Sequence, residues 1–284
     1  MKDRFQREID YIRISVTDKC NFRCRYCMPE EGVETIPHSE VLSFEEIVRV
    51  VSVLSELGIK KVKITGGEPL VRRDICTLIQ KMAKISGMED ITLTTNGFLL
   101  GEMAEQLKRA GIRTINVSVD TLNRREFADI CRRDGLDQVL DSIERAKNLG
   151  LEIRINTTVS EESNLKELFE LLEYFVNRDI PVRFIELMPI GCGHGSRVKN
   201  QDLQKMLKKR YPDFVRSDFS GNGPAIYYTF GKNKKVGFIS AVHNKFCESC
   251  NRIRLSCDGK IKPCLASSLS YDIKAVLRSG GDDK

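Results

Sequence analysis

Apolar positions along this chain alternate between two spacings. Short runs rich in Ile, Val and Thr lie at about 10–17, 61–65, 90–95, 114–119, 152–159 and 182–187, and each reads as a strand. Between them the apolar residues recur at helical spacing: Ile47, Val50, Val51, Leu54 and Leu57, then Ile75, Leu78, Ile79 and Met82. A helix about 99–110 follows, then helical stretches ending near 149–150, then Leu165, Leu168, Leu172 and Phe175. Ser43 with Glu46 reads as a capping box that starts the first helix, and Gly58 suits its C-terminal cap. Alternating strands and helices predict a parallel sheet with right-handed crossovers, either an open barrel or a doubly wound sheet.

The polar motifs decide between those two. Each sits just after a strand: CNFRCRYC at 20–27, GGEP at 66–69, TTNG at 94–97, SVD at 118–120 and Met188 with Pro189. Loops at the C-terminal ends of strands converge on one mouth in a barrel and converge less well in an open sheet. The expected fold is therefore α/β, an incomplete (β/α)6 TIM-type barrel over 1–190. Past Ile190 the pattern changes to a glycine-rich stretch at 191–196, a helix about 201–210, a Gly/Pro-rich turn at 220–224, and a hairpin of strands near 225–230 and 235–240. Residues 191–284 are expected to form a C-terminal subdomain.

Composition narrows the class. The 284 residues are 41% hydrophobic and 30% charged, as in soluble globular proteins. No apolar stretch is long enough to span a bilayer and residues 1–8 hold no apolar signal segment, so the expectation is a cytoplasmic protein without membrane contact. The net charge of +6 is spread out; the basic clusters at 205–210 and 232–235 lack interleaved aromatics and read as solvated surface, not a nucleic-acid patch.

Cysteine usage changes the picture most. Ten cysteines in a chain of this kind point to metal or catalysis rather than disulfides. Cys76, Cys131 and Cys192 stand alone and read as packed thiols. Cys20, Cys24 and Cys27 form a C-x3-C-x2-C set. A [4Fe–4S] cubane takes four thiolates, so three leave one iron open for chemistry. A zinc knuckle prefers paired C-x2-C units and fits this spacing poorly. The second group holds Cys247, Cys250 and Cys264, with Cys257 between them. Two readings stand: three thiolates on a cluster with one open iron, or a closed site with Cys257 as fourth ligand, binding zinc or an electron-transfer cluster. Arg252 and Arg254 alternate in an extended segment and so share a side, an arrangement suited to a phosphate chain.

The C-x3-C-x2-C loop resembles the signature of the radical S-adenosylmethionine (SAM) superfamily. Together with RISVTDKC at 13–20, YCMP at 26–29, ITGGEP at 64–69, LTTNG at 93–97, NVSVD at 116–120, RFIE at 183–186 and the 247–264 segment, nearly the whole chain resembles the GTP 3′,8-cyclases of molybdenum cofactor biosynthesis. That resemblance implies two [4Fe–4S] clusters, on Cys20, Cys24 and Cys27 and on Cys247, Cys250 and Cys264, the first of which binds SAM. It implies SAM contacts at Tyr26, Gly67, Ser118 and Met188, and GTP contacts at Arg13, Lys63, Thr94, Arg154, Arg252 and Arg254. It implies that a 5′-deoxyadenosyl radical takes hydrogen from ribose C3′ and that C3′ then bonds guanine C8. The implied partners are GTP, a protein reductant as electron donor and a next pathway enzyme that receives the product; a homodimer is compatible.

Three features depart from the family pattern. Arg154 stands where lysine is expected, Cys257 where a small non-thiol is expected, and 277–284 lack a tail ending in two glycines, with Gly280 and Gly281 reading as an internal turn. The expectation is a truncated or naturally tailless form with reduced activity. The competing readings are a radical SAM peptide-modifying enzyme, which usually carries more C-terminal cysteines, and a zinc module that binds nucleic acid.

Overall fold

Strand β1 (Tyr11–Ser15) shows how the molecule is layered: Ile12 and Ile14 are fully buried while Arg13 and Ser15, one residue out of phase, retain some solvent access. In a strand such alternation sends the two sets to opposite faces of the sheet. The structure is a computed structural model that describes residues 1–160, 165–195 and 198–280.

The same alternation recurs in β2 (Lys61–Thr65) and β5 (Glu152–Val159), whereas β3 (Asp90–Thr95), β4 (Thr114–Ser118) and β6 (Val182–Glu186) are buried along most of their length. These strands lie side by side in chain order, all parallel. Helices α1 (Phe44–Glu56), α2 (Ile75–Ala83), α3 (Leu100–Ala110), α4 (Arg124–Cys131), α5 (Leu136–Asn148) and α6 (Leu165–Val176) connect them. The helices and the apolar strand face share one core containing Ile14, Val62, Ile64, Leu93, Val117, Val51, Ile79 and Leu107. Burying each such side chain contributes about 1.5–3 kcal/mol. The helix boundaries follow local chemistry: Ser43 Oγ accepts from Glu46 N at 3.1 Å while Glu46 Oε2 accepts from Ser43 N at 2.7 Å, the reciprocal cap expected from the sequence.

Residues past 191 add α7 (Asn200–Arg210), β7 (Val215–Arg216), β8 (Ile226–Phe230), β9 (Lys234–Ile239), β10 (Arg252–Leu255), β11 (Lys260–Lys262), β12 (Tyr271–Asp272) and α8 (Ile273–Arg278). The expected β8–β9 hairpin is present. These strands join the barrel sheet at both edges: β9 pairs parallel with β6, and β10 pairs parallel with β1. The strand order is β12-β11-β10-β1-β2-β3-β4-β5-β6-β9-β8-β7. The result is a partial TIM-type barrel of α/β class whose parallel wall is extended by the C-terminal segment. Of the glycine-rich 191–196 stretch, Ser196 lies outside the described residues, as does Gly281 of the expected 280–281 turn. No helix among the described residues is long and apolar enough to cross a membrane.

Candidate active site

The inner face of the barrel is polar and dominated by cations. Register places Arg254, Arg13, Lys63 and Thr92 side by side on β10, β1, β2 and β3, with Thr94, Asn116 and Arg154 side by side on β3, β4 and β5. Arg183 on β6 stands beside Asn156, and its guanidinium donates to Asn116 Oδ1. No ion pair among the described residues includes Arg13, Lys63, Arg183, Arg252 or Arg254. Burial, with the guanidiniums of Arg183, Arg13 and Arg154, holds the Lys63 ammonium well below the ordinary lysine range. Burial, with Arg13 and Arg252 alongside, pushes Arg254 down to about 9. Arg13 and Arg183 are lowered in the same way, burial being the chief cause of each. Like charges about 4 Å apart cost on the order of 4 kcal/mol at an effective dielectric of about 20. The Nε atoms of Arg13 and Arg183 are buried without a hydrogen-bond partner in the protein. Unmet buried donors in a mutually repelling set of cations describe a site for a polyanion.

The first thiol group sits at the C-terminal ends of the strands. Cys20 and Cys24 are half-buried and Cys27 is exposed. The loop is braced from several sides. Gly67 N donates to Thr17 O at 2.7 Å and Glu68 N to Lys19 O at 2.8 Å. A Cβ on Gly67 would lie 2.3 Å from Lys19 O, so only glycine fits there. Tyr26 donates its hydroxyl to Asp120 Oδ2 at 2.7 Å, and Asp120 Oδ1 accepts from Thr158 N at 2.6 Å. A Cβ on Gly191 would lie 2.8 Å from the Cys27 carbonyl, so the loop containing Met188 packs on the cysteine loop. Ser118 ends β4 opposite Asn156 on the same rim. Cys20, Cys24, Cys27, Tyr26, Gly67, Ser118 and Met188 are thus gathered at one mouth.

The second group sits at the opposite end. Cys247 and Cys250 precede β10, and Cys264 follows β11; Arg254 pairs with Lys262 across those strands, which carries Cys264 toward Arg252 and Cys250. Arg252 Nη2 lies 3.4 Å from Cys250 Sγ; burial raises that thiol, but the charge of Arg252 and its hydrogen bonds together hold it below its ordinary value. Cys257 is buried at the far, C-terminal end of β10 next to Ser15. The four residues of β10 rise about 3.3 Å each, so the strand separates Cys257 at its far end from Cys250, which precedes it. That separation favours the reading in which Cys257 is not a ligand.

The donor chemistry at both ends fits iron–sulfur clusters. Contact with Cys131, together with burial, pushes the Cys24 thiol up, and contact with Cys24, together with burial, does the same for Cys27. The protein leaves these groups as thiols that bound metal would convert to thiolates. Three thiolates spaced C-x3-C-x2-C fit a cubane with one iron left open. Cys20, Cys24 and Cys27 would hold one cluster, and Cys247, Cys250 and Cys264 could hold another.

Comparison with known proteins is consistent with this arrangement. Residues 14–175 match the model described as Radical SAM superfamily, and 180–284 match Molybdenum Cofactor Synthesis C. A protein named GTP 3′,8-cyclase from Thermodesulfovibrio yellowstonii is 41% identical, over 99% of this chain and 89% of that protein. One of the same name from Alkaliphilus metalliredigens is 44% identical, over 98% of this chain and 88% of that one. The chain belongs to the GTP 3′,8-cyclase family. Family membership brings SAM and an iron–sulfur cluster with it. The fold is also that of Streptococcus suis SuiB bound to S-adenosylmethionine, with a TM-score of 0.68 at 16% identity over 97% of this chain and 66% of that one. Native anSMEcpe with bound AdoMet gives a TM-score of 0.63 at 19% identity over 91% of this chain and 75% of that one. At these identities the likeness is one of fold.

Within this GTP 3′,8-cyclase family member, two residues beyond those expected from the sequence shape the site. Arg183 is the one cation of the sixth barrel strand; a basic residue inside the otherwise apolar start of VRFIEL, which also holds the buried Glu186, was its signal. Glu68 is 1% exposed and ties two rim loops together, accepting from Leu70 N at 3.0 Å, Thr95 Oγ1 at 2.7 Å and Asn96 N at 2.7 Å. Burial pushes its carboxyl up to about 7.

Proposed function

We propose that this chain is a radical SAM GTP 3′,8-cyclase that converts GTP into 3′,8-cyclo-7,8-dihydroguanosine 5′-triphosphate, the first step of molybdenum cofactor biosynthesis. The observation that carries the reading is the cation-lined lumen between two thiol groups at opposite ends of one barrel. Residues 1–190 act as the radical SAM barrel and 191–284 as the part that carries a second cluster. Cys20, Cys24 and Cys27 hold the cluster that binds SAM, with Tyr26, Gly67, Ser118 and Met188 around it. Bound there, SAM supplies the 5′-deoxyadenosyl radical that takes hydrogen from ribose C3′.

The chain's own residues do the rest. Arg13, Lys63, Arg154, Arg183 and Arg254 neutralise the triphosphate, which supplies the anionic partner that Arg13, Lys63, Arg183 and Arg254 lack in the free protein. Thr94 orients the nucleotide by hydrogen bonding. Arg252, with the second cluster on Cys247, Cys250 and Cys264, holds the guanine end. Fixing both ends of the nucleotide keeps C3′ and C8 in attack geometry. The curved wall shields a reactive sugar from water. A protein reductant supplies the electron, a following enzyme takes the product, and a cytoplasmic homodimer is compatible with this role.

The test is an anaerobic reaction of protein reconstituted with iron and sulfide, reduced, and given SAM and GTP. Deoxyadenosine together with an isomer of GTP in the mass spectrum is the expected result. Deoxyadenosine without a GTP-derived product would retain the superfamily chemistry and overturn the substrate.

A further inference from the structure

The loop 217–225 between β7 and β8 crosses the N-terminal end of the barrel. Its path is fixed at both ends. Ser217 N donates to Tyr227 O at 2.9 Å, on the β8 side. Asn222 donates through Nδ2 to Asp90, the first residue of β3. The loop therefore passes over the starts of the strands between β9 and β3.

Under this crossing lies Arg154. Its guanidinium stands 5.6 Å from the centre of the Phe219 ring, and the Lys235 ammonium stands 4.6 Å from the same ring. Phe219 is itself fixed edge-on against Tyr227, with centroids 4.8 Å apart. A Cβ on Gly221 would lie 3.2 Å from Arg154 Nη1, so the glycine gives the guanidinium its room. Arg154 has an acidic neighbour in Glu152, 3.4 Å away and 68% exposed, whose effect solvent weakens. One aromatic ring thus gathers two cations at the edge of a lumen that already holds Arg13, Lys63 and Arg183. An arrangement that concentrates like charge calls for an anion between them. A guanidinium stacks on a ring in a way that the lysine expected here from the family pattern does not.

We propose that the 217–225 loop is a strap across the N-terminal end of the barrel, and that Phe219 is a positioning residue that seats Arg154 and Lys235 on the polyphosphate of the substrate. The proposal rests on the GTP reading and adds to it a device specific to an arginine at 154. Asn222 with Asp90 is the latch. The contact between Phe219 and Arg154 is a matched pair, so Arg154→Lys is not conservative in this chain.

The test is equilibrium binding of GTP and of guanosine, which lacks the phosphates, to the full chain reconstituted under anaerobic conditions. Phe219→Ala is expected to weaken GTP about tenfold, or about 1.4 kcal/mol, and guanosine less than twofold. Phe219→Tyr, which keeps the ring, should restore GTP binding, and in turnover the KM for GTP should rise more in Phe219→Ala than kcat falls. Equal weakening of GTP and guanosine, or an unchanged GTP affinity, overturns the strap. If Phe219→Ala does not fold, Asn222→Ala is read instead, with about threefold weakening of GTP alone expected and an unchanged ratio overturning the idea. If the wild-type chain binds GTP no better than guanosine, the triphosphate reading falls with it. If the wild type prefers GTP and the variants keep that preference, the strap alone falls.

Discussion

At the C-terminal end of the barrel the cysteine loop is held by the rest of the protein. Glu68, Asp120, Gly67 and Gly191 fix its flanks, and Arg132 donates to the carbonyls of Arg23 and Met28 at 3.1 and 3.0 Å. At the N-terminal end Cys247 and Cys264 are exposed, and the loop is held more lightly among the described residues: Arg7 donates to Cys247 O at 2.8 Å, and the Arg252 guanidinium lies 5.0 Å from the centre of the Phe246 ring. The difference teaches that one end is built before anything binds, while the other, together with the repelling cations between, is completed by what it receives. Preorganisation lowers the cost of binding at the first end. At the second, the protein carries electrostatic strain that a polyanion relieves.

The severest way to break this contrast is at Gly67. Gly67→Ala would drive a Cβ into the Lys19 carbonyl, backbone against backbone. Loss of the first iron site, with stability down by more than about 3 kcal/mol, is expected from iron analysis and thermal unfolding. Iron content like that of the wild type would show the mouth to be softer than described.

Glu68→Ala comes next. It strands three donors that are buried or half-buried, and a loss of about 3 kcal/mol is expected in denaturant titration. The pH dependence has a definite sign. The folded carboxyl titrates at about 7, raised from 4.5 by burial, so the folded state binds this proton more tightly than the unfolded chain does. Its contribution is fully present below 4.5 and is lost as pH rises to about 7. Stability should therefore fall across that window, and Glu68→Gln should flatten the fall. A slope unchanged in Glu68→Gln would assign it to another group.

Removing a lumen cation tests the strained middle. Arg183→Met should raise the stability of the ligand-free protein by about 1 kcal/mol, read as a thermal midpoint a few degrees higher. It should weaken GTP more than tenfold. A lower midpoint would mean that Arg183 serves packing more than ligand binding.

The smallest effect is expected at Cys257. Cys257→Ser should leave the iron content of the N-terminal end unchanged and cost about 1 kcal/mol or less, whereas Cys264→Ser should lose iron there. Iron loss in Cys257→Ser would move that thiol to the wrong end of β10.

Much of the fold was legible in the sequence because the six barrel strands and their helices carry their period locally. Lys61–Thr65, Asp90–Thr95 and Glu152–Val159 fall where the apolar runs placed them. The pairing of β10 with β1 and of β9 with β6 was not legible, since it joins segments far apart in the chain. The two-residue strands β7 and β12 are too short to show a period at all. In the site, the cysteines and alternating arginines were legible as residue types at a spacing. The end of the barrel that Cys257 occupies depends on β10 register, and the bracing by Glu68 depends on two loops that meet only in the fold.

The position of β10 has a consequence for synthesis. Strand β1 lies between β2 and β10, and β10 begins only at Arg252. While the chain is being made, one side of β1 keeps its backbone groups unmatched until the last part of the barrel leaves the ribosome. An exposed strand edge invites wrong pairing, within the chain or between chains. The loop that carries Cys20, Cys24 and Cys27 springs from that same strand. Its final geometry therefore waits for late residues, and iron loaded early would meet an unfinished cradle.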